Sequence, residues 1–122
     1  MKTRILLVED DPATVDVMRL ELEHLDYEVT VATNGIEALD IASAQLPDLI
    51  VLDIFLPKMD GLEVAARLRK NPKTKDIPVL AATAKALPDD REKCLAAGCN
   101  DYIAKPFSHR ELGAALKKLL GE

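Results

Sequence analysis

Five short apolar runs, at residues 5–8, 28–32, 49–52, 79–82 and 102–104, alternate with amphipathic stretches. The stretches between them run to about 10 to 15 residues, enough for a helix that returns the chain to the same edge of a sheet, so the pattern predicts βα units and a parallel sheet. Ile5-Leu6-Leu7-Val8 and Leu49-Ile50-Val51-Leu52 are continuously apolar, as central strands covered on both faces must be. Glu28-Val29-Thr30-Val31 alternates and Tyr102-Ile103-Ala104 is very short, which suits sheet edges. Val15, Met18, Leu22 and Leu25 share one face of the first helix; Leu112, Ala115, Leu116 and Leu119 share one face of the last, behind a Ser108-x-x-Glu111 capping box. Asp11-Pro12 reads as an N-cap followed by proline at the first helical position, and Gly98 and Gly121 read as helix stops. The fourth helix is the weak one, because residues 88–93 are polar apart from Pro88; loose packing and the greatest mobility are expected there. With no linker, repeat or low-complexity tract, residues 1–122 read as one α/β domain.

Composition narrows the classes. At 122 residues and 48% hydrophobic content the chain can bury one real core. Sixteen basic against 21 acidic residues give a net charge of −5 with no basic stripe, which argues against direct nucleic-acid binding. No run approaches the about 18 apolar residues of a membrane span, and no charged segment leads into the long apolar core of a secretory signal, so a cytoplasmic location is expected. Cys94 and Cys99 lack the further ligands of a zinc site. Their spacing leaves a disulfide open on paper, but in a reducing cytoplasm they are better read as small, semi-buried thiols. His24 and His109 read as ordinary helix residues.

The polar residues that follow the strands carry the chemistry. Glu9, Asp10 and Asp11 follow the first strand, Asp53 the third, Thr83 the fourth and Lys105 the fifth. In an open parallel sheet, ligands bind beyond the carboxyl ends of the strands, so four strand ends deliver carboxylates, a hydroxyl and an ammonium to one edge. Each has a plain alternative: Asp11 a helix cap, Glu9 and Asp10 solvated loop acids, Asp53 a turn opener, Thr83 a β-favouring residue, Lys105 a surface lysine. That account needs a separate coincidence at each strand end. Two carboxylates about 5 Å apart repel by roughly 3 kcal/mol at an effective dielectric near 20, so the cluster calls for a cation. Oxygen ligands suit Mg²⁺. A metal, an amine and a hydroxyl converging on a further carboxylate describe phosphoryl transfer with Asp53 as the nucleophile.

Val8-Glu9-Asp10-Asp11, the run from Asp53-Ile54-Phe55-Leu56-Pro57 to Asp60-Gly61, Thr83-Ala84 and Lys105-Pro106-Phe107 together resemble the receiver domain of two-component response regulators, in order and spacing over essentially the whole chain. The resemblance implies a flavodoxin-like, doubly wound (βα)5 fold with five parallel strands in the order 2-1-3-4-5. It implies that Asp53 accepts a phosphoryl group from a phosphohistidine on a histidine kinase or phosphotransfer protein. Asp10, Asp53 and the backbone carbonyl of Phe55 would ligate Mg²⁺, with Glu9 acting through a metal-bound water. Lys105 would pair with Asp53 before phosphorylation, across a cis Lys105–Pro106 bond. Thr83 would move toward the phosphoryl group, with small Ala84 admitting the movement and Tyr102 turning inward behind it. The fourth helix, fifth strand and fifth helix would form the output face toward a downstream protein. A weak homodimer through that face would use Arg91, Asp101 and Glu111, although solvated surface charge is the preferred reading of those three. Phe55 and Lys85 occupy the positions that tune dephosphorylation. The family implies no turnover beyond the domain's own phosphorylation and dephosphorylation.

Three rivals were weighed. A flavin carrier of the same fold needs a Ser/Thr/Gly-rich phosphate loop after the first strand, where helix amides cradle an anion; Glu9-Asp10-Asp11-Pro12 repels one. An aspartyl-nucleophile phosphatase or mutase commonly keeps a second acid two residues beyond the nucleophile, where Phe55 stands. A degenerate receiver serving only as a docking module is the alternative within the same fold. Met1 and the end of the chain just after the last helix favour an intact stand-alone regulator.

Overall fold

The computed structural model describes residues 2–83 and 89–122. The chain runs β1 (Arg4–Val8), α1 (Pro12–His24), β2 (Glu28–Ala32), α2 (Gly35–Gln45), β3 (Leu49–Asp53), α3 (Gly61–Lys70), β4 (Val79–Thr83), α4 (Asp90–Ala97), β5 (Asp101–Ala104) and α5 (His109–Leu120). The strands pair in parallel in the order β2-β1-β3-β4-β5, the expected order with the expected edges. Two strands reach one residue further than the apolar runs indicate, because Asp53 pairs in register with Ala82 and Thr83 with Ala104. Asp53 and Thr83 thus stand on the sheet itself.

Successive residues of a strand point to opposite faces, and the central strands use this to build two cores. Leu6 and Val8, Ile50 and Leu52, and Val79 and Ala81 face α2, α3 and the single buried side chain of α4, meeting Ala38, Ala42, Val64, Ala65, Leu68 and Cys94. Their neighbours Ile5 and Leu7, Leu49 and Val51, and Leu80 and Ala82 face α1 and α5, meeting Met18, Leu22, Leu112 and Leu116. This is why β1, β3 and β4 tolerate almost no polar residue before their last position.

The helix ends follow the local signals. Asp11, Asn34, Asp60 and Ser108 each accept a backbone N–H of the first turn, and Ser108 and Glu111 complete the capping box. Gly98 and Gly121 end α4 and α5 in the left-handed region at φ 117° and 76°. The weak reading of α4 is matched by its eight-residue length, its one buried residue and the lack of a side-chain cap bond. Ala84, Lys85 and Pro88, singled out in the sequence, lie outside the described residues.

One tertiary device had no counterpart in the sequence analysis. The half-buried guanidinium of Arg69 donates to the carbonyls of Gly98 (2.8 Å), Ile77 (2.8 Å) and Lys75 (3.0 Å), and to Asn100 Oδ1 (2.7 Å). The same Asn100 oxygen accepts the N–H of Val79 at 2.8 Å. A planar fork of donors is what several convergent oxygens require. It binds the C-terminal turn of α3 to the start of β4 and to the α4–β5 turn.

Two glycines predict opposite responses to an added methyl. A Cβ on Gly61 would lie 2.6 Å from both the Asp53 carbonyl oxygen and the Ile54 Cα, backbone atoms that have nowhere to go. On Gly113, inside α5, it would meet only Leu25 at 3.6 Å, an ordinary contact. Urea denaturation should show Gly61→Ala losing about 1–3 kcal/mol to overpacking and Gly113→Ala gaining about 0.5–1 kcal/mol of helix propensity.

Candidate functional site

The C-terminal edge of the sheet gathers Glu9, Asp53, Thr83 and Lys105 from four adjacent strand ends. Glu9, Asp53 and Thr83 are buried, at 2%, 8% and 1% exposure, while Asp10 is open to solvent. One carboxylate oxygen from each of Glu9, Asp10 and Asp53 lies within 4.8 Å of the others, so the three could hold a metal ion. The donor set is all oxygen, which fits a hard divalent cation rather than a thiophilic one.

Local backbone explains how each group is aimed. Glu9 continues the sheet, its N–H bonded to the Ala32 carbonyl at 3.0 Å, which drives its side chain inward. Its Oε1 takes the Lys105 ammonium at 2.6 Å, and its Oε2 accepts the N–H groups of Asp10 (3.1 Å) and Asp11 (3.2 Å). Asp53 Oδ1 accepts the Phe55 N–H at 3.1 Å, and the following loop is closed by the Gly61 N–H on the Ile54 carbonyl at 2.8 Å. The Lys105 N–H bonds the Thr83 carbonyl at 2.7 Å, placing the lysine at the end of the β4–β5 ladder, and Lys105–Pro106 is cis.

The sequence reading is corrected on the lysine. Lys105 forms its ion pair with Glu9, and among the described residues no Lys105–Asp53 pair is within salt-bridge distance. The Asp10 and Asp11 N–H groups hold one Glu9 oxygen and leave the other facing the ammonium. Asp11 keeps the capping role: its Oδ2 accepts the Thr14 N–H at 3.1 Å and hydroxyl at 2.6 Å, bonds that hold its carboxyl below the ordinary range. Phe55 is half exposed at the mouth of the site. Tyr102 packs against the core that holds Cys94, and its buried hydroxyl has no hydrogen-bond partner among the described residues. A small cavity of about 20 Å³ lies between Thr83, Ile54, Leu62 and α4 residues Asp90, Lys93 and Cys94. Arg91 and Asp101 pair with each other at 3.6 Å within the chain, in accord with ordinary surface charge. Gly61 is the residue whose role the sequence analysis missed: its bare Cα lets α3 begin against the Asp53 backbone. The Asp60-Gly61 step ahead of an amphipathic helix was the available signal.

Electrostatics separates the two buried acids. Burial raises Glu9, but the Lys105 bond and the Asp11 N–H outweigh it, so its carboxyl titrates below its ordinary value. Burial and the charge on Glu9 push Asp53 up to about 6, against the pull of Lys105 and the Phe55 N–H. Any proton the pair shares therefore sits on Asp53.

A carboxyl raised on folding binds more protons in the native than in the unfolded state between the two pKa values. Its contribution to stability is then greatest below the unfolded value and is lost as pH rises through the folded one. In chelator, metal-free protein should lose up to about 3 kcal/mol from Asp53 between pH 4 and pH 7. Below that window the lowered Glu9 acts in the opposite sense. Asp53→Asn should be more stable than wild type at pH 7 and flatten the slope, which thermal unfolding across pH will measure.

Comparison with known proteins agrees with this geometry. The response regulator receiver domain family matches residues 5–117. The transcriptional regulator RpaA of Synechocystis is 43% identical over 96% of this chain and 48% of its own length; the response regulator MprA of Mycobacterium bovis is 42% identical over 98% and 51%. The chain thus spans about half the length of these two curated relatives. Among solved structures, the receiver domain of the sensor histidine kinase PA1611 from Pseudomonas aeruginosa, with a magnesium ion coordinated in its active-site cleft, is 41% identical. It superposes with a TM-score of 0.93 over 100% of both chains. A putative response regulator from Chloroflexus aurantiacus reaches 0.96 at 36% identity, again over 100% of both. With five parallel strands in the order 2-1-3-4-5 and a family match over nearly its whole length, this chain belongs to the response regulator receiver domains of two-component signalling.

Proposed function

We propose that Asp53 is the phosphoacceptor of a two-component phosphorelay, receiving its phosphoryl group from a phosphohistidine on a histidine kinase or phosphotransfer protein. The observation that carries this reading is the set of three carboxylate oxygens within 4.8 Å beside an ammonium, at the C-terminal sheet edge. In the transfer, the P–N bond of the donor breaks and a P–O bond to an Asp53 carboxylate oxygen forms.

Asp10, Asp53 and the Phe55 carbonyl would hold Mg²⁺, with Glu9 behind them. Both Glu9 oxygens are already engaged, which favours contact through water over direct ligation. When bound, the ion would supply charge neutralisation at the phosphoryl oxygens. The chain's own groups do the rest. Glu9 holds Lys105 at the edge of the site, where a compact ammonium can turn to a new phosphoryl oxygen. The N–H of Phe55 fixes one Asp53 oxygen and leaves the other for attack.

The added charge, about −1.5 to −2, would draw the Thr83 hydroxyl. The cavity beside Thr83 and the inward packing of Tyr102 support a coupled rearrangement reaching α4. Such a switch needs contacts made in only one of its two packings. Control of a downstream protein through α4, β5 and α5 is the output we infer, without turnover of other substrates. An apolar groove of about 250 Å³ beside Lys105, lined by Val17, Met18, Pro106 and Phe107 among others, suits docking of the phosphodonor protein. We read residues 1–122 as one receiver domain acting in the cytoplasm; among the described residues no helix is long and apolar enough to cross a membrane.

Two measurements test the reading. Intact mass after incubation with acetyl phosphate should show one added phosphoryl group that requires both Mg²⁺ and Asp53, and Asp53→Ala should show none. A folded wild type that gains nothing would support a docking module instead. In a chase of the phosphorylated protein, Phe55→Asn should lose its phosphoryl group several-fold faster than wild type, because the half-exposed ring shields the acyl phosphate from water. A mutant that holds it longer would overturn that role.

A further inference from the structure

Cys94 and Cys99 lie outside the acidic site, and the turn between them brings them together. The Gly98 N–H bonds the Leu95 carbonyl at 3.1 Å and the Cys99 N–H bonds the Cys94 carbonyl at 3.0 Å, with Gly98 at φ 117°. These bonds define a Schellman motif, in which the side chains at C3 and C″ meet across the helix end. Here those positions are both cysteine. The thiols are free and buried at 1% and 5% exposure. The 3.0 Å bond between their backbones brings the two residues together across the helix end, the approach that a disulfide needs.

We propose that Cys94 and Cys99 form a two-electron redox site, closing an intramolecular disulfide across the C-terminal turn of α4. Cys94 is the one fully buried side chain of α4, and it also lines the cavity beside Thr83. Withdrawal of α4 from the core therefore exposes Cys94 before any other anchor is lost. Burial pushes both thiols up, Cys99 to about 12. Cys94 is the one that α4 itself carries, while Cys99 stays in the turn beyond the helix end, so Cys94 is the attacking thiol and Cys99 the resolving one. With a small-molecule disulfide as oxidant, the Cys94 thiolate displaces one thiolate to give a mixed disulfide. Cys99 then displaces the second, leaving the protein two hydrogens poorer and the oxidant disulfide reduced to two thiols. The docked helix protects the pair, and opening of α4 licenses the reaction. Disulfides in reducing compartments are commonly of this transient, sensing kind.

The test is incubation of the reduced protein with oxidised glutathione, followed by alkylation and mass analysis. Trypsin leaves both cysteines on the peptide 94–110, so no variant is required. The expected product is a monomer whose peptide 94–110 is lighter by two hydrogen atoms and takes no alkylating agent. Cys99→Ala should stop at a single glutathione adduct, and Cys94→Ala should react several-fold more slowly than wild type. Urea below the global transition should speed closure in wild type. A disulfide-linked dimer, two stable glutathione adducts, or no oxidation even when urea opens α4 would each overturn the proposal.

Discussion

Glu9 sits at 2% exposure directly after the apolar run Ile5-Leu6-Leu7-Val8 of β1. An ionised carboxylate there is tolerable only if paired and hydrogen-bonded. The Lys105 ammonium and two backbone N–H groups meet that requirement, and much of the site follows from it. The lysine is drawn to the sheet edge from the far end of the chain, joining β1 to the segment after β5. With the Lys105 ammonium held by Glu9, Asp53 faces a charged neighbour from a buried position, and its affinity for protons rises. An oxygen-rich, under-neutralised cleft is a site with unmet demand for a cation or for the removal of a charge.

Most of the fold was legible in the sequence because parallel sheets leave a plain signature. Strands covered on both faces cannot alternate, so Ile5-Leu6-Leu7-Val8 and Leu49-Ile50-Val51-Leu52 declared themselves central, and the caps at Asp11 and Ser108 act over one helical turn. That the polar residues after the strands gather at one place was equally open to reading, since strand ends share an edge. What stayed hidden was pairing. The sequence shows that Lys105 and several acids converge, but choosing Glu9 over Asp53 depends on side-chain reach and on which oxygens the loop N–H groups already hold. Arg69 was hidden for the same reason: its acceptors are mostly backbone carbonyls of the α3–β4 and α4–β5 connections, and backbone carbonyls carry no sequence signal.

The two buried acids also show how one edge produces unlike groups from like residues. Glu9 has a longer side chain, a cation and two amides; Asp53 has one amide and a charged neighbour. The first is consequently a fixed structural anion. The second is the group whose protonation is set by the charges around it.

The Arg69 fork fixes the Gly98 carbonyl, while the other end of α4 has no side-chain cap bond. A short helix seated in the core by a single side chain is therefore registered on the sheet chiefly from its C-terminal end. Because the same guanidinium also holds the Ile77 carbonyl and Asn100, the end of α4 and the start of β4 are set by one residue of α3.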